Sequence, residues 1–256
     1  MSSVLDIQFT SGHCDWQRLL DSALAAEAAG YGALWVVDHL AGRSMGGNQS
    51  FEAFTWLGAL ASSTERIELG ALVVNAWNRE VGVAAVGAAT VAAISGRPFW
   101  FGLGAGTSPR SSYAWEQQVV GARLEPELER RHDRVVDLLE LSERMWQNPD
   151  DSMPTFLRPS CIPKRILGVN SVRLAEIAGR LADGINVAWN HDRRNEFLDA
   201  CRPYAEGRDF VWTTYVPWFD GVEDPEHPER RAMDAAGIDR VIVLHLEIPP
   251  LEFAVV

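Results

Sequence analysis

Asp38 and His39 stand directly after a short apolar run and could exchange a proton there. The run Ala33–Val37 is made of small, branched and aromatic apolar residues, which predicts a buried strand. A carboxylate beside an imidazole can hold and transfer a proton near neutral pH, and parallel α/β folds collect such groups at the carboxyl ends of their strands. The plainer interpretation is that Asp38 caps the following turn and His39 is a surface imidazole with satisfied hydrogen bonds. The elements around the pair decide between the two.

Short apolar runs alternate with amphipathic segments from one end of the chain to the other, as in repeated strand–helix units. Eight strands fit a closed parallel barrel, in which the loops at the carboxyl ends of the strands carry the active site. We therefore predict an α/β fold, a single-domain (β/α)8 TIM barrel that spans residues 1–256. The predicted strands are Val4–Thr10, Ala33–Val37, Ile67–Val73, Pro98–Leu103, Arg165–Val169, Gly184–Val187, Phe210–Val216 and Arg240–Leu244. The predicted helices are Trp16–Ala29, Phe51–Ala61, Val81–Ile94, Glu127–Trp146, Val172–Arg180, Arg194–Tyr204 and Glu229–Ala236.

Two irregular stretches are expected above the barrel. Gly42–Ser50 follows the second strand and Thr107–Pro126 follows the fourth, so both would lie on the catalytic face as lids. The proline-rich stretch Asn148–Pro163 predicts an extended connector and not a domain boundary, because strand and helix patterns resume after it. Ten residues follow Leu246, so we expect a curtailed last helix.

The composition limits the possible partners. The chain has a net charge of -12 and 47% hydrophobic residues, with no basic cluster and no long apolar run. Nucleic-acid binding needs a basic face and a membrane span needs about 20 apolar residues, so we expect a small-molecule substrate, no nucleic acid and no membrane. The three cysteines, Cys14, Cys161 and Cys201, lack metal-site spacing, and the amino terminus lacks a signal-peptide pattern, so we expect no metal and a cytoplasmic location. Lys164 is the only lysine, which suggests a high-GC genome such as an actinobacterial one.

Four motifs follow one another along the chain: AAEAAGYGALWVVDHL at 25–40, TWLGALASSTERIELG at 55–70, GLGAG at Gly102–Gly106, and LADG at Leu181–Gly184. Together they resemble the bacterial-luciferase-like superfamily and, within it, the oxidoreductases that depend on coenzyme F420, a deazaflavin. The resemblance implies a homodimeric enzyme that transfers a hydride between reduced F420 and a small organic substrate. Two alternatives stay open: a monooxygenase of the same family that uses flavin mononucleotide (FMN), and a flavin- or deazaflavin-binding protein without catalysis.

The resemblance also implies how individual residues act. His39 would exchange protons beside the cofactor ring or, alternatively, only pack against it, and Asp38 would orient the site or pair with an arginine. A cis peptide bond at Leu72–Val73 would push a side chain against the ring. The glycines of Gly102–Gly106 would let the backbone approach the ring, although they could equally belong to a closely packed barrel strand.

The segment after the fifth predicted strand has the features of a phosphate cradle. Gly168–Ser171 leads into a helix whose free amides and polar cap favour an anion, and the resemblance implies that the cofactor phosphate binds here. An ordinary helix N-cap is the alternative, and Arg173 is the nearest cation in the sequence. The predicted cofactor-binding residues are Leu72, Val73, Asn75, Gly104, Ala105, Gly106, Thr107, Gly168, Val169, Asn170 and Ser171. The candidate substrate contacts are His13, Cys14, Trp77, Asn78, Tyr113, Trp189, Asn190 and His191.

Two positions depart from branches of the superfamily with defined activities. The sugar-phosphate dehydrogenase branch has a glutamate where this chain has Ala105, and the methylenetetrahydromethanopterin reductase branch has an aspartate where it has Thr107. We therefore expect neither of those specific activities. The segment before the fifth strand is also shorter than usual for the family, so we expect an open substrate pocket.

Overall fold

Eight parallel strands close into a barrel in the computed structural model, which describes residues 2–148 and 150–256. Each strand pairs with the next along the chain and the last pairs with the first, which confirms the predicted TIM barrel. The strands are β1 (Val4–Phe9), β2 (Ala33–Val36), β3 (Glu68–Asn75), β4 (Phe99–Gly104), β5 (Lys164–Gly168), β6 (Gly184–Ala188), β7 (Val211–Pro217) and β8 (Arg240–His245). The helices are α1 (Trp16–Ala29), α2 (Ala53–Ser63), α3 (Val81–Ser95), α4 (Ala114–Val119), α5 (Leu128–Trp146), α6 (Val172–Leu181), α7 (Arg194–Ala205) and α8 (Pro228–Ala235).

Helix α1 shows how the local sequence sets the bounds of an element. It covers Trp16–Ala29, as predicted, and begins where the Asp15 side chain accepts a hydrogen bond from the backbone N–H of Arg18. It ends at Gly30, whose φ of 95° lies in the left-handed region that favours glycine. This turn sends the chain into β2, which leads directly to Asp38.

The apolar interior has two parts, one between the sheet and the helices and one inside the barrel. The part inside the barrel contains Trp35 from β2, Trp100 from β4, Ile166 from β5 and Ile242 from β8. Leu72 from β3 belongs to the same cluster and also reaches the carboxyl end of the barrel. The barrel is therefore filled with side chains below the level at which a ligand could enter.

Strand β3 is irregular near its carboxyl end. Its register against β4 shifts between Ala71 and Val74, and the peptide bond between Leu72 and Val73 is cis, as predicted. The carbonyl oxygen of Leu72 accepts a hydrogen bond of 2.5 Å from Nε2 of Gln8, which projects from β1. The irregular segment is therefore attached to β1, two strands away, as well as to its neighbouring strand.

Both predicted lids contain short helices. Gly42–Met45 forms a 3-10 helix, and Ala114–Val119 forms α4 within the segment predicted to be irregular. The prediction of irregular structure is wrong at these two places, because a helix of four or six residues has too few positions to show a periodic pattern.

The segments around β5 and after β8 contain little regular structure. The predicted connector at 148–163 consists of turns and bends where it is described, and Pro149 lies outside the described residues. After β8 the chain runs along α1, where the carbonyl oxygen of Pro249 accepts hydrogen bonds of 2.9 and 2.7 Å from Arg18. Among the described helices, none is both long enough and apolar enough to cross a membrane.

Candidate active site

A cavity of about 600 Å³ lies at the carboxyl ends of the strands. Asp38 follows β2, while Gly104 and Gly168 are the last residues of β4 and β5, so these residues reach the predicted face of the barrel. Every predicted cofactor-binding residue lines this cavity, as do Asp38 and His39. The structure brings the two groups together, and their roles in binding and catalysis stay predictions. The wall also includes Gln8, Glu116, Arg131, His132, Asn186 and Tyr215.

Two glycines make room for the side chain of Val73 in the cavity wall. A Cβ atom added at Gly104 would lie 2.6 Å from Cγ2 of Val73, and one added at Gly168 would lie 2.8 Å from Cγ1 of Val73. Contacts this short are not tolerated in packed proteins, so a larger residue at either position would displace Val73. The interpretation of Gly102–Gly106 as part of a closely packed barrel strand therefore agrees with the contact between Gly104 and Val73. The same close packing exposes an apolar surface to the cavity.

Asp38 pairs with an arginine, which is one of the two interactions expected of it. The Arg79 guanidinium donates to both carboxylate oxygens at 2.8 and 2.7 Å, and the backbone N–H of Asn75 donates to Oδ2 at 2.9 Å. Burial alone would lower the pKa of Arg79, but contacts with Asp38 and Glu52 raise it, so the guanidinium stays charged. Asn78 donates to the backbone carbonyl of Asp38 at 2.9 Å. Asp38 thus joins the end of β2 to the end of β3.

His39 lies at the cavity wall with one ring nitrogen already bound. Its Nδ1 is 2.8 Å from Oε1 of Glu116, and the histidine side chain is 29% exposed. Oε2 of Glu116 accepts hydrogen bonds from the backbone N–H groups of Leu40 and Ala41, both at 3.1 Å, and from the hydroxyl of Ser44 at 3.2 Å. None of the described residues forms a hydrogen bond with Nε2 of His39, so this nitrogen is available to a group in the cavity.

Glu116 stays ionised although it is only 3% exposed. Burial alone would raise the pKa of this carboxyl, but the hydrogen bond and charge of His39, together with the amides of Ala41 and Leu40, lower it below the ordinary value. A carboxylate in this state accepts hydrogen bonds and donates none.

Helix α6 begins beside the cavity with Ser171 as its N-cap. The hydroxyl of Ser171 accepts a hydrogen bond of 3.3 Å from the backbone N–H of Leu174, so the ordinary capping role is present. The first amides of a helix have no acceptor within it, and Gly168 and Asn170 line the cavity next to this helix end. An anionic group in the cavity would therefore meet the start of α6.

The cation on this part of the wall is Arg131, although Arg173 is nearer to the cradle in the sequence. Arg173 pairs with Glu129 at 3.1 Å and with Asp133 at 2.8 Å, both on α5, so its charge is already balanced. Arg131, also on α5, lines the cavity and donates to the carbonyl oxygen of Gly106 at 3.3 Å.

His132 is a buried polar group in the same wall. It is 2% exposed, and neither ring nitrogen has a hydrogen-bond partner among the described residues. Burial lowers the pKa of His132, and the charges of Arg173 and Arg131 lower it further. Unpaired buried nitrogens are costly unless a ligand or water completes them. The cavity therefore fits a flat ring with an anionic side chain, with an apolar surface at Val73 and polar groups at Arg131, His132 and the start of α6.

The predicted substrate contacts lie outside the described cavity wall. Trp189 is 6% exposed and donates from Nε1 to Glu229 at 2.7 Å, so it supports the end of β6. The guanidinium groups of Arg123 and Arg134 lie 5.2 and 4.9 Å from the centre of the Trp77 ring. Both tryptophans are therefore packing residues in this structure.

Three of the remaining substrate candidates are exposed. His13 and Asn190 are exposed, although Asn190 does follow β6 at the predicted face of the barrel. Tyr113 is 46% exposed, and its ring centre lies 5.4 Å from that of His39, so it stands at the rim beside this histidine. Residues after different strands reach the same face of a barrel without reaching the same cavity.

Sequence reasoning missed several residues of the site, for different reasons. Glu116 and His39 are 77 positions apart, so no local spacing connects them. Arg79 and Arg131 are two among many arginines, and nothing in their neighbours distinguishes them. His132 did carry a signal, because it lies on the buried face of α5 in line with Val135 and Leu139, where a histidine is unusual.

Comparison with known proteins agrees with this geometry. A family profile, luciferase-like monooxygenase, matches residues 4–211. The F420-dependent glucose-6-phosphate dehydrogenase of Segniliparus rotundus is 26% identical over 247 residues, which is 91% of this chain and 65% of that protein. The protein of the same name from Nakamurella multipartita is 27% identical over 181 residues, which is 65% of this chain and 50% of that protein. The chain thus spans between 50% and 65% of the length of these curated relatives.

A solved structure shares the whole architecture. The F420-dependent secondary alcohol dehydrogenase in complex with an F420-acetone adduct has a TM-score of 0.74 and 14% sequence identity, and the match covers 98% of this chain and 94% of that chain. At this identity the likeness shows the fold alone. The profile, in contrast, covers most of the chain, including the ends of β2, β3, β4 and β5 that form the cavity. The chain belongs to the luciferase-like monooxygenase family.

Proposed function

We propose that this chain is an oxidoreductase that transfers a hydride between the deazaflavin F420 and a small organic substrate. The observation that carries the proposal is that His39, with Nε2 available, shares one cavity with every residue expected to hold the cofactor. The names of the curated relatives support F420 as the cofactor. The departures at Ala105 and Thr107 leave the substrate outside the two specific activities named above.

The cavity wall supports a bound ring in two ways. When bound, F420 supplies the ring carbon that accepts or donates the hydride. Val73, with Gly104 and Gly168 behind it, presents an apolar surface of fixed position to a flat ring. Asp38 ties the end of β2 to Asn75 at the end of β3, so that His39 and Val73 keep their positions relative to each other.

His39 moves the proton that accompanies the hydride. A substrate that gives up a hydride from carbon also gives up a proton from its hydroxyl or amino group, and Nε2 of His39 accepts that proton. In the reverse direction Nε2 returns it. A histidine held at Nδ1 needs no reorientation for either step, because the ring is already fixed by Glu116.

The cofactor phosphate is assigned to the start of α6 and the facing side of α5. Amides of the first turn of α6, the charge of Arg131 and the ring N–H of His132 all favour an anion at this end of the cavity. An anion there would accept one of the two hydrogen bonds that His132 lacks among the described residues.

Fluorescence titration with F420, with FMN and with the phosphate-free counterpart of each tests this assignment. We expect F420 to bind more tightly than its phosphate-free counterpart. Arg131→Met keeps the apolar stem and removes the charge, so it should weaken binding of the phosphate form by about tenfold or more. Arg173→Met is the control and should leave the ratio unchanged, because Arg173 is already paired with Glu129 and Asp133. Equal affinity for both forms would contradict the assignment, and tighter binding of FMN than of F420 would favour the monooxygenase alternative.

Turnover tests the proposed reaction itself. Absorbance follows the reduction of F420 by secondary alcohols and aldehydes and, in the reverse direction, the oxidation of reduced F420 by unsaturated ketones. His39→Gln should retain F420 affinity and lose turnover by about 10²–10⁴-fold, because only the proton transfer is removed. Binding of F420 without turnover on any member of the panel would contradict the enzyme and favour a non-catalytic deazaflavin-binding protein.

We also propose a homodimer and a cytoplasmic location, and an actinobacterial source fits the composition. Helix α3 exposes Val83, Val86 and Ile94 by 61%, 38% and 52%, and such an apolar helix face suits a second copy of the chain. Light scattering should give twice the monomer mass of 28.3 kDa. A measured mass equal to one monomer would contradict the dimer.

A further inference from the structure

The His39 ring has a defined proton arrangement because of its partner. Nδ1 lies 2.8 Å from Oε1 of Glu116, whose carboxylate is ionised and can only accept a hydrogen bond. Nδ1 must therefore donate. When His39 is neutral, its single ring proton is on Nδ1, and Nε2 carries the lone pair on the side of the cavity.

We propose that Glu116 is a positioning residue for His39: it keeps the Nδ1–H tautomer and so presents Nε2 as the atom that exchanges the substrate proton. The catalytic half of this inference rests on the proposed function, in which His39 exchanges that proton. The tautomer follows from the hydrogen bonds alone and can be tested without any cofactor.

The second carboxylate oxygen makes the assignment specific. Oε2 of Glu116 accepts from the backbone N–H groups of Leu40 and Ala41 at 3.1 Å each and from the hydroxyl of Ser44 at 3.2 Å. Backbone N–H groups cannot become acceptors, so whichever atom stands at this position has to be an acceptor. The orientation of the side chain at residue 116 is therefore determined by the backbone segment that directly follows His39.

The same contacts make helix α4 part of the site. Glu116 ties α4 to the segment after β2, and the neighbouring Gln117 donates to Oδ1 of Asn78 at 2.9 Å. Asn78 in turn donates to the backbone carbonyl of Asp38 at 2.9 Å. Both members of the Asp38–His39 pair are thus connected to α4, and His39 has its partner only when this helix is docked.

Glu116→Gln tests this arrangement, because it should change the tautomer of His39 in a specific way. The amide oxygen of the new side chain must face the N–H groups of Leu40 and Ala41, which leaves the NH₂ group facing Nδ1 of His39. Nδ1 then has to accept, and the proton moves to Nε2. We therefore expect the substitution to invert the tautomer of His39 while it preserves the size and shape of residue 116.

Long-range proton–nitrogen NMR correlation of protein labelled with ¹⁵N-histidine, recorded where the imidazole rings are neutral, reads the tautomer directly. His39→Gln identifies the resonance of His39 among the six histidines. We expect the Nδ1–H form in the native protein, the Nε2–H form in Glu116→Gln, and the native form in the control Glu125→Gln. Glu125 suits as the control because it is buried and bonded to Arg123 and to the backbone of Glu127. The same tautomer in native protein and Glu116→Gln, or an Nε2–H form in native protein, would overturn the proposal.

Turnover provides the second measurement. Glu116→Gln should lower kcat by about 10²–10⁴-fold at unchanged F420 affinity, since a wrong tautomer blocks proton transfer and leaves binding intact. A kcat within twofold of native protein, together with an inverted tautomer, would overturn the positioning role. Absence of turnover in the native protein would refute the proposed function instead, and the tautomer measurement would still decide the hydrogen-bond assignment.

Discussion

Charged side chains are buried at both ends of the barrel. The two groups differ in whether hydrogen-bonding atoms remain without a partner. At the amino end, Arg240 donates to both oxygens of Asp6 at 2.8 Å each and lies 2.8 Å from Glu68. The indole N–H of Trp35 donates to the same Asp6 carboxylate at 3.0 Å, and that of Trp100 donates to Glu68 at 2.7 Å. These groups satisfy one another inside the barrel.

At the carboxyl end the pairing is incomplete at two histidines. Asp38 and Arg79 satisfy each other as Asp6 and Arg240 do, but His39 uses Nδ1 alone and leaves Nε2 toward a cavity. His132 likewise has both ring nitrogens without a partner among the described residues. Buried charge by itself therefore does not mark a functional site in this barrel. The carboxyl-end cavity differs in that His39 and His132, with nitrogens that have no partner among the described residues, share it with the residues expected to hold the cofactor.

The largest effect is expected at the amino end. Asp6→Asn removes the fully buried carboxylate that Arg240 and the indole N–H of Trp35 share, and it leaves Arg240 with the partly exposed Glu68 alone, so the free energy of unfolding should fall by about 3–5 kcal/mol. Chemical denaturation measures this loss. Asp209→Asn is the control, since Asp209 pairs with Lys164 at the surface and its side chain is 88% exposed. A loss no larger than that of the control would contradict the structural role of the amino-end cluster.

Asp38→Asn should lower the free energy of unfolding less than Asp6→Asn does, but it should impair function more. Arg79 keeps Glu52 at 2.9 Å, so the loss in free energy of unfolding should be about 2 kcal/mol. F420 affinity should fall as well, because the ends of β2 and β3 lose their shared anchor. Denaturation and cofactor titration of Asp38→Asn and Asp6→Asn, measured side by side, distinguish the two ends of the barrel. If Asp6→Asn impairs cofactor binding in folded protein as much as Asp38→Asn does, the proposed difference between the two ends is contradicted.

The packing of Val73 gives a prediction of similar size at the cavity itself. Gly168→Ala places a Cβ atom 2.8 Å from Cγ1 of Val73 and should lower the free energy of unfolding by about 1–3 kcal/mol. Combination with Val73→Ala should recover part of that loss. Gly58→Ala, in α2 with open space at its Cβ position, is expected to stabilise by about 0.5–1 kcal/mol. Additive effects of Gly168→Ala and Val73→Ala in a double-mutant cycle would show that the two residues do not touch.

The smallest expected effect is a change in pH dependence. The pKa of Glu116 lies below its ordinary value, so its contribution to stability is present above the unfolded pKa of about 4.3 and is lost as pH falls through the folded pKa. Glu116→Gln should therefore make stability depend less on pH below about pH 4.5. Thermal unfolding from pH 3 to 7 measures the difference. An unchanged acid slope in the variant would contradict an ionised Glu116 in the folded protein.

The elements of the barrel could be predicted from the sequence because each has a local cause. Runs such as Ala33–Val37 are apolar over the length of a strand, and Gly30 ends α1 where the pattern of small residues stops. The cavity wall was also predictable, since Gly104 and Gly168 end neighbouring strands of one sheet.

The rest depended on contacts between distant parts of the chain. Glu116 meets His39 only because the short helix α4 folds back over β2, and six residues carry no periodic signal of that helix. Trp189 was predicted to contact substrate because it follows β6, but its indole N–H faces Glu229 on α8. Position after a strand thus predicts the face of the barrel that a residue reaches, whereas the direction of its side chain depends on packing.

A crystal structure of the chain with F420 bound would show directly whether the cavity holds the cofactor. We expect the ring in the carboxyl-end cavity against Val73, within reach of Nε2 of His39, and the phosphate between Arg131 and the start of α6. A second cavity of about 610 Å³, lined by Trp218, His245 and Phe253, is the natural comparison within the same crystal. F420 in that second cavity, or a ring in the first cavity turned away from His39, would contradict the account.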